Sequence, residues 1–104
     1  MMPFSRRQPR IASGGRVTLR LTVVQRDRLL ASPALPKNLG HLLHRAPVRE
    51  GRLGVRVTCA ELAALIAAAA EVKARDNREE RALGALLRYL ETQEERFEDV
   101  SEEP

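Results

Sequence analysis

Apolar and polar residues alternate over two stretches of the chain. Val17, Leu19 and Leu21 interleave with Arg16, Thr18, Arg20 and Thr22, and Leu53, Val55 and Val57 interleave with Arg52, Gly54, Arg56 and Thr58. A period of two with β-branched residues predicts half-buried strands over 16–22 and 52–58. Beyond each Thr the period becomes helical. Thr22 is followed three residues later by Gln25, and Thr58 by Glu61. In that spacing the Thr hydroxyl accepts from the third helical N–H while the Gln or Glu side chain reaches back to the Thr N–H. Both strands therefore turn straight into capped helices. Val57 and Leu62 flank the second cap as a hydrophobic staple. The first copy has Leu21 and then Arg26, so a sharper helix entry is expected at Thr58 than at Thr22.

The remaining elements follow from breaks in the pattern. The first helix spans about 23–32 and stops at Ser32-Pro33, because the residue before proline avoids the helical region. "PALP" is a turn, and Pro36 suits the first position of a second helix over about 36–46, with Leu39, Leu42 and Leu43 as its stripe. Pro47 ends that helix, and "VREG" leads into the second strand. A third helix runs from Cys59 to about Arg75 with Leu62, Leu65, Ile66, Ala69 and Val72 at i, i+3, i+4 spacings. Asn77, three residues before Glu80, predicts a cap for a fourth helix over about 78–98, striped by Leu83, Leu86, Leu87, Leu90 and Phe97. Glu94 interrupts this stripe, so the last turns are expected to project from the core.

Together these elements predict a small single α+β domain over 16–98. Two short strands pair as one two-stranded ribbon, and each leads into a helix pair (units 16–46 and 52–98). The C-terminal pair is a long αα-hairpin. Residues 1–15, with two Pro, two Gly and three Arg, read as a flexible basic arm, and 99–104 as an acidic tail. The segments "LRLTVVQRDRLL" (19–30) and "VRVTCAELAALI" (55–66) lie 36 residues apart and match in pattern. Shared corner geometry is the favoured account of that match over duplication.

Composition narrows the function. At 104 residues with 3% aromatics, the core must be Leu, Val and Ala. The single cysteine excludes an internal disulfide, and no signal-peptide or membrane-length apolar run is present, so a cytoplasmic protein is expected. The formal charge of +4 hides an asymmetry: residues 1–60 carry 12 basic and 2 acidic side chains, and residues 91–104 one basic and seven acidic. A basic front and an acidic end can attract each other. His41 and His44 share a helix face without the further ligands that zinc needs. Cys59, at a helix start, lacks a second Cys or a neighbouring base in sequence. Glu79/Glu80 and Glu94/Glu95 sit among arginines as solvated helix pairs, and no glycine-rich phosphate loop occurs. No catalytic residue, metal site, cofactor or small-molecule substrate is therefore expected, and an enzyme is not.

Two non-catalytic readings follow, the first the leading one and the second its alternative. In the first, the chain is an interaction or regulatory module acting as a homodimer or on a partner protein. The third helix is apolar nearly all round through Ala63, Ala64, Ala67, Ala68, Ala69 and Ala70. With the fourth it could present Leu62, Leu65, Ile66, Leu83, Leu86, Leu87 and Leu90 as an interface. In the second, the order strand, capped helix, helix, with Arg and Thr on the polar strand face, is similar in outline to the ribbon–helix–helix DNA-binding regulators. That resemblance implies a two-stranded ribbon in the major groove. It would place Arg16, Thr18, Arg20, Arg52 and Arg56 against bases or phosphates, with Arg6, Arg7 and Arg10 adding backbone contacts. It covers element order rather than a specific motif. Two strands in one chain also depart from the family, which takes its ribbon from two protomers.

Overall fold

A computed structural model of the chain describes residues 14–97. The arm's Arg6, Arg7 and Arg10 and the acidic tail lie outside the described residues. Seven elements follow in order: β1 (Arg16–Thr22), α1 (Val23–Leu30), α2 (Lys37–Arg45), β2 (Val48–Arg49), β3 (Arg52–Thr58), α3 (Cys59–Ala70) and α4 (Asn77–Glu94). They form one α+β domain whose antiparallel sheet has the order β1-β3-β2.

The alternation in β1 and β3 does what a period of two requires, since both strands show the same burial pattern. Val17, Leu19, Leu21, Leu53, Val55 and Val57 are buried and meet Leu29, Leu39, Leu43, Leu62, Leu65, Leu86 and Leu90 from the helices. All helical packing is thus on one face of the sheet. The register is Arg16↔Thr58, Thr18↔Arg56, Arg20↔Gly54 and Thr22↔Arg52.

Both strand-to-helix corners are closed by full capping boxes. Gln25 N–H donates to Thr22 Oγ1 (3.1 Å) and Thr22 N–H to Gln25 Oε1 (2.9 Å). Glu61 N–H donates to Thr58 Oγ1 (3.2 Å) and Thr58 N–H to Glu61 Oε1 (2.9 Å). The expected difference in sharpness is absent, because the box bonds depend on the Thr and Gln/Glu pair and not on the staple. Val23 N–H, an orphan donor of α1, is satisfied by Gly51 O at 3.0 Å.

Several boundaries differ from expectation. The ribbon gains a third strand: Val48 and Arg49 pair with Leu53 and Arg52 around a two-residue turn, Glu50-Gly51, with φ of 54° and 77°. Positive φ at both turn residues is the mark of a type I′ hairpin, whose twist matches the strands. Pro36 stands just outside α2, as its N-cap. Helix α3 ends at Ala70 because the residues beyond it are exposed apart from half-buried Val72, so further turns would bury little. The cap of α4 is Asp76 rather than Asn77, its carboxylate accepting from Glu79 N–H at 2.9 Å. Finally, α4 ends at Glu94, yet Gln93 and Phe97 are buried. The C-terminal turns fold back on the core instead of projecting from it, and Phe97 buries its ring there.

Candidate functional site

With the helices all on one face, the other face of β1 and β3 is left to the polar residues of the alternation. Arg16, Thr18, Arg20, Arg52, Gly54 and Arg56 are all exposed there. The register brings the five predicted strand-face residues, Arg16, Thr18, Arg20, Arg52 and Arg56, onto one surface. Arg56 lies opposite Thr18, and Arg20 opposite Gly54, so Arg20 and Arg56 are diagonal neighbours. Such positions are typically 7–8 Å apart on one face. The stagger keeps every β1 arginine away from a β3 arginine directly across the ladder, where like charges destabilise most.

A sixth residue joins the face. Arg49 on β2 pairs with Arg52 and so projects on the same side. It escaped the sequence reading because a two-residue strand has no periodicity. The available signal was the Glu50-Gly51 pair between two short, mirrored Val-Arg and Arg-Leu stretches, a two-residue hairpin loop. Ion pairs in the described part of the molecule involve only Arg26, Arg28 and Arg75 among the basic residues. Arg16, Arg20, Arg49, Arg52 and Arg56 therefore present five guanidinium groups with no carboxylate partner among the described residues.

The face has an internal two-fold pattern. The 36-residue offset that relates the sequence segments maps Leu19 onto Val55, and those two residues face each other in the register. It likewise maps Arg20 onto Arg56, Arg16 onto Arg52 and Thr22 onto Thr58. The pseudo-dyad thus passes between Leu19 and Val55, and one chain carries both halves of a near-symmetric ribbon. The symmetry fails at one outer position, where Thr18 corresponds to Gly54.

The backbone behind this face is held from α4. Arg20 N–H, which points away from β3, donates to Tyr89 Oη at 2.8 Å. A second polar cluster lies elsewhere, where Glu79 accepts from Arg28 at 2.8 Å and from Arg75 N–H at 2.8 Å. The Arg75 N–H first, and then the Arg28 guanidinium, hold the Glu79 carboxyl below its usual range. This cluster fastens α1 to the start of α4.

The apolar candidates are placed differently. Leu62, Leu65, Leu83, Leu86 and Leu90 are buried inside the chain's own core, and Ile66 and Leu87 are half-buried against it. What α3 shows to the outside is Ala60, Ala63, Ala67 and Ala70. His41 and His44 are exposed, Cys59 is half-buried, and among the described residues no three His, Cys, Asp or Glu side chains form a group able to hold a metal. No described helix is long and apolar enough to cross a membrane. No protein-family model, curated protein or solved structure matches the chain.

Proposed function

We propose that this protein binds duplex DNA through the Arg/Thr face of the β1–β3 ribbon, as a single chain. The observation that supports this is the uncovered strand face with five arginines free of carboxylates among the described residues. A seven-residue strand is about 23 Å long at 3.3 Å per residue, and a two-stranded ribbon fits a major groove about 12 Å wide. Arg20 and Arg56, flanking the pseudo-dyad, are the central contacts. Their guanidinium forks suit paired hydrogen bonds to phosphate oxygens, so each counts as one phosphate contact in the salt slope. Arg16 and Arg52 at the ribbon ends are placed for phosphates, and Thr18 offers a hydroxyl to a base edge. Because both strands come from one chain, DNA binding on this arrangement needs no second protomer.

The test is fluorescence anisotropy of a labelled duplex across a salt series, with Arg20→Glu/Arg56→Glu as the comparison. Four or five phosphate-type contacts give a log–log salt slope of roughly −4. The double variant should lose at least about tenfold in affinity and flatten the slope by about two. Absence of binding at low salt would refute the proposal, as would an unchanged slope in the double variant. The interaction-module reading retains the exposed alanines of α3 together with half-buried Ile66 and Leu87. Light scattering that shows a size increase with concentration, unaffected by the Arg20/Arg56 changes, would favour it.

A further inference from the structure

The pseudo-symmetry of the ribbon breaks at Gly54, and the break has a shape. Gly54 occupies the centre of the outer face, with Arg20 opposite on β1 and Arg52 and Arg56 two residues away on its own strand. With no side chain at Gly54, the surface sinks into a depression of about 380 Å3 lined by Thr18, Arg20, Pro47, Arg49, Arg52, Leu53 and Gly54. Three guanidinium groups line it, and none has an ion-pair partner among the described residues. Arg49 and Arg52 are moreover directly opposed across the β2–β3 ladder, the one cross-strand pair of like charges among the described residues of the sheet. Such a pair costs stability unless an anion lies between its members. The tight Glu50-Gly51 turn keeps the two from drifting apart.

We infer that the Gly54 depression is a phosphate-binding subsite, which seats one backbone phosphate of the bound nucleic acid between Arg20, Arg49 and Arg52. Its role in DNA binding rests on the function proposed above. Guanidinium forks give paired hydrogen bonds to phosphate oxygens, which a single ammonium cannot. The volume exceeds a lone phosphate and leaves room for the adjoining sugars. Gly54 is the position that sets this subsite, since the equivalent Thr18 would place a side chain in the same space. A Cβ at Gly54 would meet only Thr18 Cγ2 at 3.7 Å and Leu19 O at 3.8 Å, which are ordinary contacts. The strand therefore tolerates a side chain there, and glycine is not required by the fold.

Two measurements on the full chain test this. In the first, inorganic pyrophosphate is titrated into the 15N-labelled protein and amide shifts are followed. Saturating shifts centred on Gly54, Arg49 and Arg52, abolished in Gly54→Thr and in Arg49→Gln, uphold the subsite. Shifts spread evenly over Arg16, Arg56 and Arg49 without saturation overturn it. In the second, duplex affinity is compared for the same variants. Each should bind about tenfold more weakly, with a salt slope shallower by about one. Wild-type affinity in both variants, while Arg20→Glu/Arg56→Glu abolishes binding, would sink the subsite and leave the DNA reading intact. Localised, saturating pyrophosphate shifts without duplex binding would uphold a phosphate site and refute the DNA reading. Arg49→Gln changes a residue outside the β1–β3 ladder, so it keeps the test decisive should Gly54→Thr fold poorly.

Discussion

Thr22 and Thr58 each close a corner where a strand becomes a helix within one residue, and each does so with two hydrogen bonds. Replacing either by Ala leaves a helix N–H without its side-chain acceptor, and the paired Gln25 or Glu61 loses its orientation. We expect Thr22→Ala and Thr58→Ala each to lower stability by about 1 kcal/mol, read as a shift of the urea midpoint. The loss should be somewhat larger at Thr58. There the reciprocal residue is a carboxylate in the first turn, which also interacts favourably with the helix dipole. An unchanged midpoint in both variants would count against the caps as a source of stability. The same corners aim the polar strand residues outward, so the caps act on the candidate site by fixing where each strand ends.

Among the elements, α1 and α4 are held together by one carboxylate. Glu79 receives the Arg75 N–H and the Arg28 guanidinium, and both lower its pKa. A carboxyl whose folded-state pKa lies below its unfolded value binds fewer protons when folded. Its contribution to stability is therefore present above the ordinary Glu range and lost as pH falls through the lowered value. Thermal midpoints should drop on acidification from neutral pH into the acid range. In Glu79→Gln that drop should be shallower, because the variant has no carboxylate to lose. Parallel acid limbs for the two proteins would show that this contact does not set the acid response. Glu79 joins the first turn of α4 to Arg28 of α1 and to the Arg75 N–H, and no strand-face arginine takes part in that contact. If the ribbon face binds DNA, its affinity should therefore be unaltered by the same substitution at neutral pH.

Charge is unevenly distributed along the chain. The strand face gathers arginines from the basic front, while residues 98–104 carry four carboxylates: Glu98, Asp99, Glu102 and Glu103. Deleting those residues raises the formal charge from +4 to +8. If the ribbon face binds DNA, the shortened chain should bind more tightly at low salt, by roughly tenfold for about 1.4 kcal/mol of removed repulsion, and the gain should shrink as salt screens it. Equal affinity of the two forms across the salt series would show that the acidic end neither repels DNA nor competes for the arginines.

Much of this fold was legible along the chain because its signals are local. The alternation of Val17, Leu19 and Leu21 with arginines, and of Leu53, Val55 and Val57 with Arg52 and Arg56, needs only a period of two. Each corner needs only a Thr and a Gln or Glu three residues later. Helix ends were less legible. The stop of α3 at Ala70 and the return of Phe97 to the core depend on what surface is available to bury against, which spacing does not encode. Strand β2 was missed because two residues hold no period. The leucines of α3 and α4 carry the same stripe whether they meet a partner or their own chain. Their burial against β1 and β3 follows from the sheet lying beneath them.

For the site, the sequence supplied the Arg and Thr side chains and their common facing within each strand, since alternation is a property of the extended backbone alone. Pairing the strands antiparallel in one register was a tertiary outcome, governed by the burial of Leu19 against Val55 and the lengths of the intervening elements. That register set Arg20 diagonal to Arg56, opposed Arg49 to Arg52 across a hairpin, and left Gly54 as a gap among guanidinium groups. Residue identities are written in one dimension, but the charge density of a surface depends on distances between strands, and only packing establishes those.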